Sequence, residues 1–163
     1  MTTSRIITVG PAGHSAAGAF SLLELVLVMA ILAVVSAIAM PRMAQASARY
    51  RVETAGRRVA ADLNLARSKA LSASSSQTVS FTLSPARYRL VGLADPSHPE
   101  LEYQVELRGE PYCCELLQAA FGGNSSVIFD GFGRPNSGGT IALRCGGWTK
   151  TLTLEVSGEV SGL

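Results

Sequence analysis

Apolar positions follow three different rhythms along this chain. From Phe20 to Met40 they run almost without interruption through FSLLELVLVMAILAVVSAIAM, where Glu24 is the only charged residue. These 21 residues would rise about 30 Å as a helix, one hydrocarbon core of a bilayer. Helix fits better than strand because the run is long, has no Gly or internal Pro, and in lipid a helix satisfies its own backbone groups. Beyond Pro41 the rhythm turns helical and amphipathic. Val52, Val59, Leu63, Ala66 and Ala70 recur on one face, while Arg51, Arg57, Arg58, Asp62, Arg67 and Lys69 fall mostly elsewhere. Pro41 removes one backbone donor and is expected to kink the helix without ending it. Gly56 is a weak point, and SASSSQ reads as the loop that follows a helix end near Ser72.

After Ser76 the rhythm alternates. Val79, Phe81 and Leu83 oppose Ser80 and Thr82. In LEYQVEL, Leu101, Tyr103, Val105 and Leu107 oppose Glu102, Gln104 and Glu106. SVIF, TIALR and WTKTLTLEV follow, the last with Trp148, Leu152, Leu154 and Val156 on one face; SPAR, ADPSHP, RGEP, GFGRPNSGG and CGG are turns. The expected fold class is α+β: a long N-terminal helix, membrane-spanning in its first half and amphipathic in its second, packed on a small antiparallel β-domain. The expected boundaries are a leader over 1–19, a transmembrane segment over 20–41, its amphipathic continuation over 42–73 and the β-domain over 76–163.

Composition adds little to this frame. The chain has 163 residues, room for one modest domain and an appendage, and its net charge of +2 makes no case for nucleic acid. A mean hydropathy of +0.26 is high for a water-soluble protein, and the excess lies in the Phe20–Met40 run. Arg42, Arg49, Arg51, Arg57 and Arg58 read as a solvated helix face interleaved with Glu53 and Asp62, with lipid contact at Arg42.

Candidate chemistry is sparse. Cys113 and Cys114 are adjacent and poorly placed to pair with each other, so in an oxidising compartment Cys145 pairs with Cys113 or Cys114 and one thiol is left over. No CxxC is present and His14 and His98 are far from the cysteines, so no metal site is expected. Asp130 in FDGFGRP lacks the spacing of a calcium loop and reads as a turn former. His98 sits between Ser97 and Pro99 in a turn without an identifiable partner, and GFG and SGG open no helix that would cradle a phosphate. Neither catalysis nor a cofactor is expected.

Three readings of the apolar segment compete. One is a plain membrane anchor, in which Glu24 snorkels to the interface. Another is a secretory signal, with Ala37-Ile38-Ala39 imitating a cleavage site, although the stretch is long for one and contains an acid. The third rests on likeness: AFSLLEL followed by VLVMAILAVVSAIAMP resembles the class III signal of type IV pilins and pseudopilins. Counted from Phe20, Glu24 is the fifth residue and Pro41 the twenty-second, both as in that family. The sequence departs from the pattern in having Ala19 where Gly is usual, with Gly18 one place earlier; cleavage after Gly18 would spoil both spacings.

The C-terminal half, VIFDGFGRPNSGGTIALR and then WTKTLTLEVSGEV, resembles the GspH/FimT minor pseudopilins. The two resemblances together imply leader cleavage between Ala19 and Phe20 by a prepilin peptidase, which also methylates the new amine. They imply that Glu24 then faces the amine of a neighbouring subunit in a filament. The implied protein is a single-pass inner-membrane one with its β-domain in the periplasm, a minor pseudopilin of a type II secretion-like apparatus supporting protein export. Its implied partners are other pilin-like subunits, the peptidase, membrane lipid and secreted cargo. The alternative is a FimT-like minor pilin that binds DNA; there an Arg-containing tail makes the contact, whereas GEVSGL here carries Glu159 and no Arg, leaving Arg134, Arg144 and Lys150 as a sparse basic set.

Overall fold

The structure, a computed structural model, describes residues 21–162 apart from the side chains of residues 39–41. The expected leader over 1–19, which includes Ala19, and Phe20 therefore lie outside the described residues. One helix, α1 (Leu22–Ala73), is followed by eight strands: β1 (Gln77–Thr82), β2 (Arg87–Ala94), β3 (Glu102–Glu106), β4 (Glu115–Phe121), β5 (Ser126–Phe129), β6 (Gly139–Cys145), β7 (Trp148–Leu154) and β8 (Val160–Ser161). The chain forms two compact units, Met1–Ala39 and Met40–Leu163.

In the first unit the described side chains of residues 21–38 are all exposed. In the second, the later half of α1 buries the stripe Val52, Ala55, Val59, Leu63, Ala66 and Ala70 against two antiparallel sheets. One sheet runs β3-β2-β1-β5 and the other β4-β6-β7-β8. Phe81 of β1 stacks on Phe121 of β4 and tilts against Tyr88 of β2, each with ring centroids 5.5 Å apart, so aromatic side chains join the two sheets. This is the α+β architecture expected from the sequence, one long N-terminal helix with antiparallel sheets.

Gly56, a weak point by helix propensity, has a packing role. A Cβ there would stand 3.1 Å from Cδ of Lys150 on β7. Its absence lets the lysine stem lie on the helix and reach Glu53, Nζ to Oε2 at 2.6 Å.

Several sequence expectations need correction. Asp62 is not on a solvated face: it is 5% exposed, inside the core layer. Leu83, Leu101 and Val156 fall just beyond strand ends, where no layer covers them, and are exposed; Trp148, the first residue of β7, is half-exposed for the same reason. β2, β4 and β8 were not evident from the pattern. In β4 the buried positions are Leu116, Ala119 and Phe121, because a register shift between Leu116 and Gln118 breaks the alternation.

A disulfide joins Cys114, just before β4, to Cys145 at the end of β6, with Cα atoms 4.4 Å apart; Cys113 is free and exposed. The bridge closes a loop across 31 residues, which restricts the unfolded chain. Cys114→Ser is expected to lower unfolding stability by about 2–4 kcal/mol. Urea titrations with and without reductant check this: reductant should cost the wild type a similar amount and leave the variant unmoved.

Candidate functional site

Glu24 lies in the first turn of α1, which opens with the Leu25 amide donating to the Ser21 carbonyl at 3.1 Å. An acid there suits the partial positive charge of a helix start, but its surroundings along the chain are apolar. Leu22, Leu23, Leu25, Val26, Leu27 and Val28 are all exposed within this unit. The segment is long and apolar enough to cross a membrane. The backbone of α1 is helical through Pro41, whose side chain is outside the described set.

A second feature seats the helix on its domain. Asp62 is three residues after Val59 and four before Ala66, on the buried face of α1. Its carboxylate accepts hydrogen bonds from the Tyr88 hydroxyl at 2.5 Å and the Tyr103 hydroxyl at 2.9 Å, and pairs with Arg58 Nε at 3.0 Å. Arg58 also donates to the Tyr103 hydroxyl, closing a ring of three side chains to which Tyr88 is joined through Asp62. Burial, and then the Asp62 carboxylate, push the Tyr103 phenol up to about 12 and Tyr88 higher still. For Arg58, burial opposes the charge, but Asp62 and Tyr103 more than offset it and its pKa is raised. Both carboxylate oxygens of Asp62 and both phenol hydroxyls find partners, which is what makes a buried charge tolerable. Sequence reasoning missed this network, although the i, i+4 spacing of Arg58 and Asp62 on the apolar stripe was a signal.

The basic residues singled out for nucleic acid are each paired. Arg144 meets Glu115 at 2.6 Å, Arg134 meets Asp130 at 3.4 Å, and Lys150 meets Glu53. The Arg144 hydrogen bond holds the Glu115 carboxyl below its ordinary range, and the Lys150 bond does the same for Glu53. Asp130 is lowered first by the Arg134 amide: its Oδ1 accepts from Arg134 N–H at 2.8 Å and Phe132 N–H at 2.9 Å, the geometry of a turn former. The Asp95 side chain likewise accepts from the backbone amides of Ser97 and His98, fixing the loop that carries the histidine. Among the described residues no cluster of three His, Cys, Asp or Glu side chains could hold a metal.

A long helix whose later half is seated on antiparallel sheets, and whose first half is apolar with one acid in its first turn, defines a pilin-like protein. The sequence profile described as "Type II transport protein GspH" matches residues 55–159. This chain belongs to the GspH family. Its fold is similar to the crystal structure of the type IV minor pilin FimU of Pseudomonas aeruginosa PAO1, with 14% identity over 71% of this chain and 90% of that one, and a TM-score of 0.53. It is also similar to the minor pseudopilin EpsH from the type 2 secretion system of Vibrio cholerae, with 13% identity, coverage of 69% and 96%, and a TM-score of 0.52. No curated protein sequence matches significantly.

Proposed function

We propose that this chain is a minor pseudopilin that enters a short periplasmic filament of a type II secretion apparatus through its N-terminal helix and supports protein export. The observation that carries this reading is Glu24, the lone charge of an apolar helix half, in a chain whose globular part belongs to the GspH family. A carboxylate in hydrocarbon costs about 2.5–3.5 kcal/mol on insertion scales, so it needs a counter-charge. Cleavage between Ala19 and Phe20 by prepilin peptidase supplies one, a new α-amine, which the same enzyme methylates. In the filament Glu24 of one subunit faces the Phe20 amine of its neighbour, and only the correct axial register leaves neither charge alone. The exposed apolar side chains of residues 22–38 supply the packing area, with Pro41 at the bend. The β-domain, held in the periplasm by a single inner-membrane span, presents its surface to other pilin-like subunits and to cargo. No step requires a catalytic group or cofactor.

The likeness to FimU supports a type IV pilus as the second setting for the same assembly chemistry. DNA capture in the FimT manner is disfavoured by the carboxylate partners of Arg134, Arg144 and Lys150 and by the pairing of β8 with β7 at the acidic tail. Intact-mass and N-terminal analysis of the membrane-extracted protein tests the pathway. A chain starting at N-methylated Phe20 is expected. A start at Met40, the mark of ordinary signal cleavage, or a retained leader would overturn the proposal.

A further inference from the structure

We propose that the β6–β7 hairpin, which carries Trp148, is a second contact with the lipid surface: a foot that rests in the headgroup layer beside the juxtamembrane turns of α1. The inference rests on the reading that the apolar half of α1 spans a bilayer.

The hairpin is built to lie close to the helix. Cys145 pairs with Trp148 across a two-residue turn, Gly146-Gly147. Gly146 has φ +58°, and a Cβ on it would come 3.1 Å from the Cβ of Ala48, so glycine allows both the turn and the close approach. Trp148 then forms a groove with Ala44, Gln45, Ala48 and the two glycines. The indole stays 43% exposed, and the Arg49 guanidinium stands 5.5 Å from its ring centroid. Met43 and Tyr50, each 73% exposed, lie on the same stretch of helix. An amphipathic indole, a phenol and an apolar thioether left uncovered here match the side chains that concentrate at membrane–water interfaces.

Charge selects the occupant. Between Glu24 and Glu53 the sequence has no acid but has Arg42, Arg49 and Arg51. Among the described residues none of these three arginines has an ion pair, whereas Arg57, Arg58, Arg87, Arg89, Arg134 and Arg144 each have one. The acids that touch the hairpin are taken: Glu115 by Arg144 and Glu53 by Lys150. Three unmatched guanidinium groups on this stretch of helix, one of them over an exposed indole, suit anionic phosphate headgroups better than another apolar helix. Chain length agrees. Ala44 and Ala48 follow Met40, the last residue of the apolar run, by four and eight residues, about 6 and 12 Å of helix rise. The polar layer outside the hydrocarbon is about 5–8 Å deep on each side, so the groove begins within it.

Trp148 is the only tryptophan in the chain, so its fluorescence reports this site alone. The full-length chain is reconstituted in phosphatidylglycerol-containing vesicles with or without bromine on the acyl chains near the glycerol end. Expected is quenching of about twofold by the brominated lipid, reduced when Arg42, Arg49 and Arg51 are all changed to Gln. A control chain with Leu27→Trp and Trp148→Phe reports the apolar half. If the control is quenched and Trp148 is not, the foot is refuted while the membrane span stands; if neither is quenched, the span itself is refuted and the foot with it. Shielding of Trp148 that depends on protein density in the vesicles, rather than on bromine, would assign the groove to a second subunit and overturn the proposal.

Discussion

Asp62→Ala is expected to lower the unfolding stability of the globular unit by about 3–5 kcal/mol. The loss comes from what remains behind. Tyr88 and Tyr103 are 1% and 6% exposed, and both hydroxyls lose their acceptor at once, at about 1–3 kcal/mol for each orphaned group. Arg58 is half-exposed and turns to water, so it adds less. Replacing the network together, Asp62→Leu with Tyr88→Phe and Tyr103→Phe, should restore most of the loss, because no polar group is then left unpaired. Urea unfolding of the detergent-solubilised chain distinguishes the cases; an Asp62→Ala variant as stable as wild type would mean the ring contributes nothing.

The same network predicts alkaline sensitivity. Both phenols hold their protons more tightly folded than unfolded, since Tyr103 sits at about 12 and Tyr88 above it, against about 10 in an unfolded chain. Their stabilising contribution is therefore complete below pH ~10 and fades as pH climbs towards ~12 and beyond. The Tyr88→Phe, Tyr103→Phe variant should lose stability less steeply over that range.

Much of this molecule is readable from residue order because its main elements have one dominant period each. The helix stripe from Val52 to Ala70 repeats on a single face and is buried throughout. Val79, Phe81, Tyr103, Leu107, Leu152 and Leu154 alternate and are buried as that alternation requires. The failures occur where two rules compete. Asp62 obeys the helical spacing of the core but has the side chain of a surface residue, and the two tyrosines that make it acceptable come from strands 26 and 41 residues further on. β4 is hidden by its register shift, and β2 also loses its pairing register between Arg89 and Ala94. The hairpin at Trp148 reads in sequence as the start of a buried face, yet the ring lies at the very end of β7 beside α1, a tertiary fact no local pattern encodes. Glu24 is the opposite case: its chemistry is legible at once, as the single charge in an apolar run, and the partner proposed for it comes from another copy of the chain or a related one.

The largest functional effect is expected at that residue. Glu24→Gln keeps the volume and removes the charge, so insertion into the membrane should be retained or improved. Leader removal should also proceed, because the altered residue lies beyond the bond that is cut. Assembly is a different matter: the neighbour's amine would be left charged and unpaired among apolar helices, at about 3–5 kcal/mol, roughly a hundredfold or more in the incorporation equilibrium. Glu24→Asp retains the charge on a shorter stem and should incorporate at an intermediate level.

The ratio of processed subunit in isolated filaments to processed subunit in the membrane, compared between wild type and Glu24→Gln, measures this pairing directly. A processed, membrane-inserted variant that is nearly absent from filaments is the predicted result. Equal ratios for the two proteins would contradict it.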